Sequence, residues 1–126
     1  MPEIILPPGI ERSPEKLFLK DLNLAFLEAD LLKIEQIIHE DIRWEWAGEW
    51  VIEGKGDFMR KYREMSGPEA QRLEIRSLLI EGNRGAAEGI ITMPDGDRYS
   101  FADFYEFTTV NSIQVSGMTS YVVEIP

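Results

Sequence analysis

The chain of 126 residues contains no cysteine, one histidine, and only 13 lysines and arginines against 23 aspartates and glutamates. Without cysteine there are no disulfides, thiolate nucleophiles or cysteine metal sites. His39 alone cannot supply a multi-histidine metal centre. No metal and no cofactor is therefore expected. The net charge of −10 repels a phosphate backbone, and Arg60, Lys61 and Arg63 do not form one continuous helical stripe, so nucleic acid is excluded as a partner. No run approaches 18 apolar residues, and the start, MPEIILPPGIER, lacks the basic and apolar regions of an export signal. A soluble cytoplasmic protein is the expectation, with no membrane partner. Walker, G-x-G-x-x-G and G-x-S-x-G patterns are missing too.

What is present is a foldable chain, 44% hydrophobic and of one-domain length. Residues 1–12 read as an extended arm, because Pro2, Pro7, Pro8 and Gly9 break any helix. The single domain is expected over 13–126. Ser13-Pro14-Glu15 is a helix start: a hydroxyl cap, proline at the first position and an acid in the first turn. That cap also accounts for a Ser-x-x-Lys match at Ser13–Lys16. Phe18, Leu22, Ala25, Phe26 and Ala29 then share one face. Asp30 caps a second helix with Leu31, Ile34, Ile37 and Ile38 inward, and His39 near its end reads as a structural helix-terminal imidazole. From Ile42 the period falls to two, through Trp44 and Trp46. Gly48–Gly56 reads as loop, and Asp57 as the cap of a third helix carrying Phe58, Met59, Tyr62 and Met65.

Beyond residue 70, segments near 71–82, 84–93, 98–109 and 113–124 are β-rich and separated by turn signals at EGNRG, PDGD and 110–112. The expected class is α+β, three N-terminal helices followed by an antiparallel meander with one sheet face solvated or paired with another subunit.

The strings AFLEADLLKIEQIIHEDIRWEWAG, EGKGDFMRKY and LLIEGNRGAAEGIITMPDGDRYSFADFYEF, in this order, resemble the nuclear-transport-factor-2-like superfamily, in particular its SnoaL-like branch. The resemblance implies that the three N-terminal helices pack in the concave face of a curved antiparallel sheet, forming a cone with an apolar internal pocket. It also implies several chemistries, each of which needs its own residues. A ketosteroid-isomerase-like base would fall on Trp46 and the matching tyrosine on Leu22, so two of three roles are lost. An epoxide hydrolase of the limonene type needs Arg-x-Asp, which occurs nowhere in the chain, and scytalone-dehydratase-like histidines are lacking. The pocket aspartate of SnoaL-like cyclases has a match in Asp103.

Strand alternation puts Phe101, Asp103, Tyr105 and Phe107 on one side. A carboxyl among aromatics is either a general acid with a raised pKa or a structural group bonded to an amide or a tyrosine hydroxyl. Glu88 joins Asp103 as a catalytic candidate if Asp95-Gly96 form a two-residue turn. It faces the other way if Pro94-Asp95-Gly96 form a bulged three-residue loop. Trp44, Trp46, Phe101, Tyr105 and Tyr121 are the candidate ligand-binding residues, the face of Tyr121 being left open by the turn at 110–112. The expected ligand is a small apolar or weakly polar organic molecule. If Asp103 points inward, Phe104 points out onto an uncovered sheet face, and a homodimer is expected through it.

Overall fold

The computed structural model describes residues 2–108 and 113–126; the turn expected at 110–112 lies outside them. Ser13 caps the first helix, α1 (Pro14–Glu28), its hydroxyl accepting the Lys16 N–H at 3.2 Å. α1 ends at Ala29, the one non-glycine residue with positive φ (54°) among the described residues. Asp30 then caps α2 (Leu31–Ile37), accepting from the Lys33 N–H. α1 buries Leu19, Leu22, Asn23 and Ala25, so its inward face is rotated from the expected one and contains a polar residue.

α2 gives way directly to strand β2 (Ile38–Trp46). The expected strand start at Ile42 is therefore four residues late, and His39 is a strand residue whose Nδ1 accepts the Asp41 N–H at 3.0 Å. The expected loop at 48–56 contains a further strand, β3 (Trp50–Glu53), antiparallel to β2. Its four residues are too few for a clear period. α3 (Lys55–Met65) is capped by Gly54 and not by Asp57, which lies in the first turn and pairs with Arg60 at 3.0 Å.

The four later strands are β4 (Arg72–Glu81), β5 (Arg84–Thr92), β6 (Arg98–Thr108) and β7 (Gln114–Ile125). With β1 (Glu3–Ile5) they form a seven-stranded sheet in the order β1-β4-β5-β6-β7-β2-β3. The extended arm is thus partly sheet, parallel to β4, and Ile10–Arg12 form a 3₁₀ turn. The α+β class stands, although β1–β4 and β2–β7 are parallel pairs within the otherwise antiparallel sheet.

Register shifts between Ile75 and Ser77 and between Glu106 and Phe107 bend the sheet. At the first, the β4 backbone comes so close to Gly89 that a side-chain carbon there would collide with the Glu74 carbonyl. The helices fill one face: Phe18 packs edge-on to Phe107 at 5.7 Å, and Phe58 lies 4.6 Å from Trp44. The other face carries no helix contacts among these rings and exposes Leu79, Phe104, Tyr121 and Val123.

Candidate active site

A cavity of about 310 Å³ opens between the helices and the sheet. Its floor is buried: Asn23 from α1, Tyr62 from α3, Trp44 from β2, Leu73 from β4, Phe101 from β6, and Met118 and Ser120 from β7. Ala29, Met65, Ser66, Gly67 and Pro68 are the exposed residues of its wall and mark its mouth. The volume lies at the low end of small-molecule sites, which run to ~300–1,000 Å³.

Asp103 is the sole ionisable carboxyl in this wall among the described residues. Strand β6 aims it inward with Phe101 and Tyr105, as alternation requires. It retains some accessible surface, because the cavity is wide enough to admit water, yet protein surrounds it closely. Desolvation raises its pKa from 3.8 to about 6, against the opposing effect of hydrogen bonds from the Ser120 and Tyr105 hydroxyls.

Both hydroxyls are held from behind. Ser120 lies directly opposite Asp103 across the β6–β7 ladder, and its oxygen accepts the Trp44 indole N–H at 3.0 Å. The Tyr105 oxygen accepts from the Asn23 amide at 3.3 Å, and the same amide nitrogen donates to the Leu19 carbonyl at 2.8 Å. The Trp44 and Asn23 donors leave each hydroxyl its own proton to donate, and the Asp103 carboxyl is in reach of both. Tyr105 is fully buried, and burial together with the nearby Asp103 carboxylate pushes its phenol well above 10. Tyr62 donates to the Phe26 carbonyl, and burial raises it to about 12. Both phenols therefore stay neutral at physiological pH. No buried side-chain polar atom among the described residues lacks a partner.

The structure brings Asp103, Trp44, Trp46 and Phe101 into the cavity wall and sets Tyr105 behind Asp103. Glu88 and Tyr121 are elsewhere. Gly96 (φ 95°) closes a three-residue loop at 94–96, with its N–H donating to the Met93 carbonyl, and Thr92 pairs with Arg98. Glu88 consequently stands opposite Ala102, on the outer face, where it meets Arg76 at 2.7 Å. The two carboxyls do not share a proton. Tyr121 also pairs with Ala102 and lies edge-on to Phe104 on that outer face. Sequence reasoning missed Asn23 and Ser120. The signal for Asn23 was weak, since it lies off the apolar face read from the sequence of α1. For Ser120 there was none, since the face of β7 was unfixed. No group of three His, Cys, Asp or Glu residues able to hold a metal occurs among the described residues.

A SnoaL-like domain matches residues 19–116. The chain belongs to the SnoaL-like domain family. Among solved structures, the domain is similar to an epoxide hydrolase/cyclase-like enzyme of pyran ring formation in the polyether salinomycin. The TM-score is 0.72 at 17% identity, covering 90% of this chain and 94% of that one. It is similar to a nuclear-transport-factor-2-like protein of unknown function from Mesorhizobium loti, with TM-score 0.71 and 17% identity over 94% and 98% of the two chains. It is also similar to an epoxide hydrolase of M. tuberculosis, with TM-score 0.65 and 16% identity over 81% and 76%. At these identities the likeness establishes the fold, which hosts isomerases, hydrolases and cyclases. No curated protein sequence matches the chain. No helix of the described residues is long and apolar enough to cross a membrane.

Proposed function

We propose that this SnoaL-like domain binds a small, largely apolar organic molecule in its cavity and moves a proton on it through Asp103. The observation that carries the reading is one carboxyl, backed by two anchored hydroxyls, in an otherwise apolar cavity. With a pKa near 6, the carboxyl is mostly ionised at pH 7 and is a stronger base than an aspartate in water. It takes a proton from a carbon or hydroxyl of the ligand and returns it at a second position. That cycle serves isomerase, cyclase or lyase chemistry alike. We place the protein in the cytoplasm, where a reducing medium costs a cysteine-free chain nothing.

Deuterium exchange tests the proton transfer. Small cyclic ketones incubated with the protein in D₂O should exchange the hydrogens next to the carbonyl faster than in buffer. Asp103→Asn should remove the acceleration. Equal rates with wild type and variant, for ketones shown to bind, would reject an acid-base role.

A second reading is a non-enzymatic dimeric binding or assembly module, and the outer sheet face favours it. Phe104 is 52% exposed, Tyr121 48%, Val123 62% and Leu79 63%. Such an apolar row on an antiparallel face is suited to a second copy of the chain. Pairing through it is compatible with either reading of the cavity.

A further inference from the structure

The cavity wall is rich in acceptor character and poor in available donors. The Asn23 amide is committed to Leu19 and Tyr105, the Trp44 indole to Ser120, the Tyr62 hydroxyl to the Phe26 carbonyl, and the Ser66 hydroxyl at the mouth to the Arg63 carbonyl. The Ser120 hydroxyl, opposite Asp103 in the β6–β7 ladder, and the Tyr105 hydroxyl, on the same face of β6, are in reach of its carboxyl. Among the donor side chains of the wall, Trp46 is the one without such a bond among the described residues. A carboxylate has about four acceptor sites, so two hydroxyl donors leave Asp103 with capacity facing the cavity.

Charge points the same way as hydrogen bonding. Among the described residues no lysine, arginine or histidine lies in the wall, so nothing there balances an ionised Asp103. The rings of Phe26, Trp44, Trp46, Tyr62 and Phe101 line the remaining space. Because the polar tips of Trp44 and Tyr62 are spent on protein oxygens, those two offer the ligand only their carbon surface. An aromatic enclosure around one carboxylate suits an organic cation, which gains an ion pair and ring-face attraction in the same place. The chain's net charge of −10 adds attraction for a cation and repulsion for an anion.

We propose that the cavity takes a small apolar molecule carrying one protonated amine, with its ammonium group on Asp103 and its hydrocarbon body against the aromatic wall. This rests on the reading of the cavity as a ligand site, independently of the proton-transfer step, and specifies the ligand's chemical class. A ketone, ester or carboxylate ligand brings only acceptors to a wall whose unspent polar capacity is itself mainly acceptor.

Three probes on one skeleton test it: cyclohexylamine, cyclohexanone and cyclohexanecarboxylate, titrated at pH 7.5 by calorimetry and tryptophan fluorescence. The amine should bind at least about tenfold tighter than the ketone, and the carboxylate weakest of the three. Asp103→Asn should erase the amine's advantage over the ketone, because it removes the charge and supplies an amide donor that a carbonyl can use. Should that variant fold poorly, wild type at pH 5 supplies the same comparison, because protonated Asp103 no longer attracts the amine. The titratable groups near Asp103 are the phenols of Tyr105 on β6 and Tyr62 on α3; both remain neutral over this range, and Asn23, Trp44 and Ser120 do not titrate there. Ketone binding as tight as amine binding in wild type, at both pH values, overturns the amine assignment and leaves the ligand-site reading standing. Failure of all three probes to bind overturns both.

Discussion

Asp103 and Ser120 face each other directly across the β6–β7 ladder, so two neighbouring strands bring the acid and a hydroxyl together in the site. A pairing within a ladder is held by the backbone hydrogen bonds that run along both strands. The acid is thereby fixed in an apolar cavity where its charge is costly, and the cost has a pH signature.

The folded pKa of Asp103 is about 6, above its ordinary 3.8. The folded state therefore holds its proton to higher pH than the unfolded chain. The associated stability is fully present below pH 3.8 and is lost as pH rises through about 6. Urea unfolding of wild type should lose roughly 2–3 kcal/mol between pH 4 and 7 relative to Asp103→Asn, at about 1.4 kcal/mol for each tenfold difference in proton affinity between the two states. A variant that is most destabilised relative to wild type at pH 7 would identify an ionised, fully compensated structural carboxylate.

Ser120→Ala removes a donor from Asp103 and the acceptor of the Trp44 indole at once. The buried N–H left without a partner should cost about 1–3 kcal/mol. The Asp103 midpoint should rise above its wild-type value, because an opposing hydrogen bond is gone. Denaturant unfolding and a carboxyl NMR titration read the two effects separately. Unchanged stability would mean that water replaces the hydroxyl without loss.

Glu88→Gln is the contrasting case. Glu88 pairs with Arg76 on the outer face, and an exposed pair of this kind is worth about 0–1 kcal/mol. The variant should leave the pH dependence attributed to Asp103 unaltered. A change in the Asp103 midpoint would show that the two acids are coupled after all.

Phe104 and Tyr121 meet edge-on at 6.0 Å in the exposed apolar row. Light scattering at micromolar concentration should give twice the 14.5 kDa chain mass, and Phe104→Glu should give the single-chain mass by placing a charge in a desolvated interface. A wild-type monomer would contradict pairing through this face.

The α+β order, both helix caps at Ser13 and Asp30, and the four long strands were legible because each rests on local chemistry: a capping oxygen, an apolar period, a turn residue. Asp103, Phe101 and Tyr105 were placed together by strand alternation alone, which needs no knowledge of neighbouring strands. Glu88 and Tyr121 were not placed, since their faces depend on register, and register rests on the turns: a loop at 94–96 read equally well in two ways, and one at 110–112 left open. One residue more in the β5–β6 loop sent Glu88 to the opposite side. β1 and β3 went unseen because three and four residues carry too little periodicity, and their pairing comes from distant strands. Asn23 was hidden by its own helix, where a buried amide satisfied by the Leu19 carbonyl looks, in sequence, like a solvent-facing residue.

The most direct measurement is the titration of the Asp103 carboxyl itself, followed by carbon-13 NMR with Asp103→Asn to assign the resonance. Desolvation in the cavity predicts a midpoint near pH 6. A midpoint below 4 would mean that the Ser120 and Tyr105 hydroxyls fully stabilise the charge, and that Asp103 is not the poised proton carrier on which this reading of the cavity depends.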